Sequence, residues 1–431
     1  MVKIGRWLLE ILMLICLPLC FASAAEPDMP IGLVENQFAA ELQADGDFYA
    51  ANDSGKILLT KGKYFVNAGN GRINIGSHNF AGDVVLTPKD SHKYFSLNKQ
   101  AYRGKIQVLL SNNKKLYVNN LVPMEDYVAS VLGPKSSAIW PDEAIKAQAV
   151  AVRSFAYYKL QQATGNYALK ATDADMFYGG VKNEVDLVSK VARTTAGEVL
   201  FYEGSPAITY TSESSGGKTA NAASLLHQNI PYLISVEDYD KDSPEYSWTR
   251  IIEVTDLTRI LTQNGYNVGK LKSYRLSPLK KPYGDDRTST GRVLNMYFKG
   301  DNGDASLTGR EVANLLSLNS TLFDAYVTTV VPDKIDVPIE NPYGMEIGRK
   351  EIPITVSGPD GTKWNQVLPG YVMLNGNADE KIVFKGHGMG SGLGLTKWGA
   401  KGMADMAPQG VKDYYKVILA HYYPGTYITN I

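Results

Sequence analysis

The sequence predicts an α+β protein: a β-rich N-terminal part, an α/β core around an Ala-rich buried helix, and a small inserted α+β region. Three observations point there. Short apolar runs parted by polar turns fill residues 30–118, a helix apolar on two sides starts at Pro141, and residues 243–325 mix helical and strand patterns. With 431 residues the chain has room for two or three domains. Its 44% hydrophobic and 20% charged residues are the composition of a folded globular protein. The expected divisions are a signal peptide over 1–24, the β-rich region over 25–118, the core over 119–240, the insert over 241–340, and over 341–431 a C-terminal part of the core that carries a Gly-rich segment.

The first residues read as a secretory signal. Lys3 and Arg6 precede an apolar run from Trp7 to Phe21, broken only by Glu10, and Ala22-Ser23-Ala24 is a small-residue cleavage site. The run is short for a bilayer span, so a membrane is expected only through an uncleaved signal. The chain has 44 basic and 44 acidic residues; loss of Lys3, Arg6 and Glu10 leaves one net negative charge. That balance gives no electrostatic case for nucleic acid. Both cysteines, Cys16 and Cys20, fall in the signal, so disulfides and thiolate metal sites are excluded from the mature chain. The five histidines lack paired metal-ligand spacing, and no cofactor is expected.

Strands are expected at Lys56–Thr60, Tyr64–Val66, Asp83–Thr87 and Lys105–Leu110, with turns at Asp53-Ser-Gly55, Gly69-Asn-Gly71 and Ser111-Asn-Asn113. Pro141 suits the first helical position, where its missing N–H has no partner anyway, and Asp142 and Glu143 meet the positive end of the helix dipole. Ile145, Ala149, Val152 and Ala156 form one apolar stripe; Ala144, Ala147, Ala151, Phe155 and Tyr158 form another. A helix apolar on two sides is buried. Arg153 then needs a partner. It is either a structural ion pair, which the spacing favours, or a contact to an anion or sugar.

Further on, a helix over Glu184–Thr195 stops at Gly197, and strands Glu198–Tyr202 and Ala207–Thr211 follow. The second strand runs into Ser212-Glu-Ser-Ser-Gly-Gly-Lys-Thr219. Successive small residues let backbone N–H groups converge on an anion or a sugar oxygen, although composition alone favours a plain loop. In the insert, Thr255 is placed to cap a helix ending at Gly265, Gly291–Gly300 reads as a strand, Thr308 and Glu311 form a capping box, and Asp324–Asn341 reads as extended. Gly386-His-Gly-Met-Gly-Ser-Gly-Leu-Gly, before Leu-Thr-Lys-Trp-Gly-Ala400, implies backbone that something approaches closely.

These stretches resemble the stage II sporulation protein D and LytB (SpoIID/LytB) family. Tyr127, Val131, Trp140-Pro141, Glu143-Ala144, Lys146 to Ala151 and Arg153 fit its central motif without a gap. Ser214-Ser-Gly-Gly-x-Thr219, Pro231-Tyr-Leu233, Trp398-Gly-Ala400 and His421-Tyr-Tyr-Pro-Gly-Thr426 fit others. The resemblance implies action on peptidoglycan outside the cytoplasm, either as a lytic transglycosylase or as an enhancer of a cell-wall amidase. The transglycosylase needs one carboxyl that protonates the glycosidic oxygen and then takes the muramic acid C6 hydroxyl proton.

The chain departs from the family pattern where that chemistry is done. Lys135 stands at the catalytic glutamate position, Ser391 at a histidine, Met389 at a tryptophan, and Lys397 and Met176 at glutamines. A lysine, with a reference pKa near 10.4, is a poor proton donor and acceptor here but can bind a carboxylate as a point charge. The resemblance therefore leaves no intact catalytic residue. It implies ligand contacts at Lys135, Arg153, Tyr178, Ser214, Ser215, Gly216, Gly217, Thr219, Ser391, Lys397 and Trp398. The expected function is binding of peptidoglycan glycan strands, with a cell-wall amidase as protein partner and no cleavage. One alternative is an active enzyme with a relocated acid among Glu125, Asp126, Glu143, Asp173 and Asp175; another is a structural envelope protein.

Overall fold

The computed structural model describes residues 26–134, 136, 139–172, 176–328, 334–340, 346–353, 371–374 and 380–431. The expected signal, Lys135, Asp173 and Asp175 lie outside the described residues.

The fold is α+β and rich in strands, as expected. The N-terminal part forms two sheets. The first has seven strands in the order 169–170, 28–37, 116–123, 105–110, 84–88, 48–52 and 55–59. The second has six, in the order 100–102, 95–97, 39–44, 62–69, 72–75 and 78–80. Alternation drives their association. Along Lys105–Leu110 only Ile106 and Val108 are buried, and they join Phe48, Leu86, Leu42 and Phe95 in one apolar core. The boundary expected between residues 118 and 119 falls inside the strand Leu116–Pro123, which belongs to the first sheet and leads straight into helix α1 (Met124–Leu132).

Helix α2 (Asp142–Gln162) is the central post. Its start differs by one residue from expectation: Pro141 is the N-cap, with ψ 135°, and Asp142 is the first helical residue. Its two stripes enter two different cores. Ile145, Ala149, Val152 and Ala156 pack into the core of the N-terminal sheets. Ala144, Ala147, Val150 and Ala151 pack in a second core with residues of the C-terminal helices. Phe155 joins the first core, not the second.

Helices α3 (Asp186–Ala192) and α4 (Ala222–Leu226) are short. The expected strand Ala207–Thr211 is corrected. Ser205–Pro206 pairs with Glu198–Tyr202, whose other edge pairs with Tyr427–Asn430, while Thr211–Ser212 pairs in parallel with Leu395–Thr396. Between them the Thr209 hydroxyl donates to the Ala151 carbonyl, which draws the chain onto α2.

In the insert, α5 (Val254–Gln263) is capped at Glu253, so Thr255 is already helical, and the expected strand from Gly291 begins at Asn295. α6 (Gly309–Leu316) carries both bonds of the Thr308–Glu311 capping box. The insert's core includes Leu257, Met296, Phe298 and Leu316 and also Phe384, because the strand Lys381–His387 pairs with both Ser247–Glu253 and Phe323–Thr328. Helices α7 (Lys397–Asp405) and α8 (Tyr414–Tyr422) close the core against α2.

Candidate functional site

The α1–α2 junction, the end of the 211–212 strand and the Gly-rich segment meet at a groove of about 310 Å³. Its lining includes Gln148 of α2, Ser212, Glu213, Met389, Gly390 and Lys397. Ser136 adjoins it: its hydroxyl donates to Gln148 Oε1 at 3.2 Å. Lys397 opens α7 and is held from two sides. Its Nζ lies 2.6 Å from Glu213 Oε1 and 5.2 Å from the Trp140 ring centre. Trp140 packs edge-on against Trp398 with ring centres 5.0 Å apart, so Trp398 backs the groove wall. Ser391 sits beside it, with its hydroxyl 3.1 Å from that of Ser212.

Glu213 is the residue that sequence reasoning missed. It lies inside the small-residue loop, where the pattern of Ser and Gly hides a lone carboxylate. Its carboxylate changes the reading of Lys397, whose charge already has a partner inside the groove.

The other sequence-predicted residues fall elsewhere. Arg153 is fully buried and makes a bidentate pair with Glu125, Nε to Oε1 and Nη2 to Oε2 both at 2.7 Å. Its Nη1 donates to the Glu198 carbonyl at 3.0 Å. A guanidinium spent in this way offers nothing to a ligand. The candidate acids among the described residues are occupied too. Glu125 also accepts the Gly197 N–H, Asp126 pairs with Arg193, and Glu143 accepts the Tyr415 N–H that begins α8 while pairing with Lys146. Tyr178 is buried, donates to Asn120 Oδ1 at 2.8 Å, and lines a separate cavity with Tyr102 and Phe177. Burial pushes its phenol well above the ordinary range.

The Ser214–Thr219 loop does bind an anion, but the anion belongs to the chain. Asp240 accepts from the Ser214 hydroxyl at 2.5 Å and from the N–H groups of Gly216 and Gly217 at 2.8 and 3.0 Å. Gly216 and Gly217 have φ of +81° and +98°, which turns both N–H groups to one side. Beside it, Asp238 accepts from Ser215, Thr396 and Tyr422. Burial, then the charge of Asp240, raises the Asp238 carboxyl above its usual range against those hydrogen bonds. Thr219 is also buried and accepts the Val236 N–H at 2.8 Å. Arg153, Ser214, Ser215, Gly216, Gly217 and Thr219 thus each have an internal partner in this structure. Asp240 lies more than twenty residues from the loop it fills, and nothing local in the sequence points to it.

Comparison with known proteins agrees with the motifs. Residues 112–202 match the family model described as SpoIID, stage II sporulation protein. The chain is 28% identical over 408 residues to amidase enhancer of Bacillus subtilis, covering 92% of this chain and 52% of that one. It is 28% identical over 223 residues to stage II sporulation protein D of the same organism, covering 47% and 60%. It is also 26% identical over 349 residues to an uncharacterized protein of Brachyspira hyodysenteriae, covering 80% and 76%. The chain thus spans about half the length of the amidase enhancer it matches.

Proposed function

Because this chain belongs to the SpoIID/LytB family, we propose that it is an exported cell-wall protein that holds peptidoglycan glycan in the Glu213–Lys397 groove and modulates a wall hydrolase without cutting glycan itself. One observation carries this reading. Among the described residues Glu213 is the one carboxylate lining the groove, and it is bound to an ammonium at 2.6 Å, while the family's acid position is Lys135. A general acid needs hydrogen-bond reach to the leaving oxygen before any other property matters. Buried Glu125 and half-buried Glu143 spend their oxygens on Arg153, Gly197, Lys146 and Tyr415. The similarity to amidase enhancer along 92% of the chain supports the modulating role and an amidase as partner. Hydroxyls, a side-chain amide, an ion pair and an indole behind the wall are groups that suit a polar sugar chain.

The test is mass spectrometry of peptide-free glycan strands incubated with the mature protein, beside the Lys135→Glu and Glu213→Gln variants, with pull-down on purified sacculi. The expected result is binding to sacculi, no product from the wild type, and anhydro-ended product from Lys135→Glu. The groove carboxylate favours a second reading, in which Glu213 is the relocated acid. Anhydro product from the wild type that disappears in Glu213→Gln would replace the first reading with that one.

A further inference from the structure

We propose that a second cleft, at the seam between core and insert, is an oxyanion site distinct from the groove. It has a volume of about 360 Å³, within the range of small-ligand sites. The core contributes Lys218 and Ser235, the insert contributes Lys281, Tyr283 and Ser289, and His387 closes it from the end of its strand. No carboxylate lines it among the described residues.

The Ser235 hydroxyl is spent on the Thr219 carbonyl at 2.6 Å, but the donors of the insert wall lack internal work among the described residues. Lys281 is exposed and has no ion-pair partner among the described residues. The hydroxyls of Tyr283 and Ser289 likewise have no hydrogen-bond partner among them. His387 Nδ1 lies 3.2 Å from the Tyr246 carbonyl, which places the proton on that nitrogen and makes Nε2 of the neutral ring an acceptor, so His387 shapes the end of the cleft and is not one of its donors. Lys218 meets Glu237 at 3.5 Å, with side chains 50% and 73% exposed, a pair that water screens and a ligand displaces easily. Behind the wall Asp240 is already held by Ser214, Gly216 and Gly217 and, with Asp238, faces the buried Arg292, while Asp324 accepts the Leu279 N–H. Two point charges with hydroxyl donors around them fit a phosphate or carboxylate oxygen set, and the seam position keeps the site clear of the groove.

The ligand class is an oxyanion on a wall polymer: a phosphodiester or a peptide carboxylate. The test is calorimetric titration of the mature full chain with poly(glycerol phosphate) and, separately, with the dipeptide L-Ala–γ-D-Glu, at low and at physiological ionic strength. Binding is expected for one probe, weaker at the higher salt. It should fall on the order of tenfold in Lys281→Gln/Ser289→Ala, as loss of a charge-assisted contact implies. Lys299→Gln, an exposed lysine of the same insert outside the cleft, should leave it unchanged. Equal melting temperatures among the variants establish that the fold is intact. Binding of poly(glycerol phosphate) alone would assign the site to phosphodiesters, and binding of the dipeptide alone to stem-peptide carboxylates. No binding of either probe at low salt, or equal weakening by Lys281→Gln/Ser289→Ala and Lys299→Gln, would overturn the proposal.

Discussion

Arg153 of the core and Arg292 of the insert are both fully buried, yet their surroundings differ. Arg153 faces Glu125 across the α1–α2 contact in a bidentate fork, with backbone carbonyls for its other donor. Arg292 reaches from the insert into the core, and among the described residues its side chain makes one bond, Nη2 to the Ser215 carbonyl at 2.9 Å. Its Nε and Nη1 have no protein partner among the described residues. Burial pulls its guanidinium down to about 10, against the pull of Asp238 and Asp240. Those two carboxylates lie near but give their oxygens to hydroxyl and backbone donors. A buried charge is secured by the geometry of its counter-ion, not by its proximity. The core is locked around its arginine, whereas the insert is joined to the core through a cation held less completely.

The largest effect should come from breaking the better pair. Glu125→Gln leaves Arg153 charged and without its counter-ion, and the loss should be about 3–5 kcal/mol in urea denaturation. A loss under about 1 kcal/mol would show that the fork is not what holds α1 to α2.

The seam is next. Gly392 has φ of +72°, and a Cβ there would come within 2.0 Å of Arg292 Nη2. Gly392→Ala should cost about 1–3 kcal/mol through backbone strain and that clash. The cost should shrink when Arg292→Met is added. An unchanged cost in the double variant would place all of it in the backbone and none in the arginine.

Alkali probes the buried phenols of the core instead. Burial holds Tyr422, bonded to Asp238, well above the ordinary phenol range, and raises Tyr102 to about 12. In the unfolded chain tyrosines lose their protons near pH 10. The folded state then keeps protons that the unfolded state releases, so stability falls as pH rises above about 10, by roughly 1.4 kcal/mol per pH unit for each such group until its folded pKa is reached. Melting temperatures followed between neutral pH and alkali should be flat and then drop. Full phenolate absorbance appearing in the folded protein at pH 10 would refute the assignment.

The smallest effect separates the insert's own helix from the seam. Thr308→Ala removes one half of the α6 capping box and should cost about 1 kcal/mol. Its effect should add to that of Gly392→Ala; coupling between them would mean that the seam extends to α6.

Much of this molecule was legible from short-range pattern. The capping box at Thr308, the strand at Lys105–Leu110, the Ala-rich helix and the stop at Gly197 each depend on residues a few positions apart. The strand expected at Ala207–Thr211 was misread because its hydrogen bonds go to α2 and to a strand more than 180 residues away. The site was less legible than the fold. Motif positions located the groove's walls, and Lys397 and Trp398 stand there, but Arg153, Ser214, Ser215, Gly217 and Thr219 turned inward to partners that composition does not announce.

By itself the sequence determined the α+β class and which segments could be helix or strand, because these follow from periodicity, capping and turn chemistry along the chain, and its motifs carried the family resemblance. Only the tertiary structure decided that the small-residue loop cradles Asp240, that Lys397 is paired with Glu213, and that Arg153 rather than Arg292 has a matching fork. Charge pairing acts over a few ångströms in space, and the partners here lie 24, 184 and 28 residues apart in the chain.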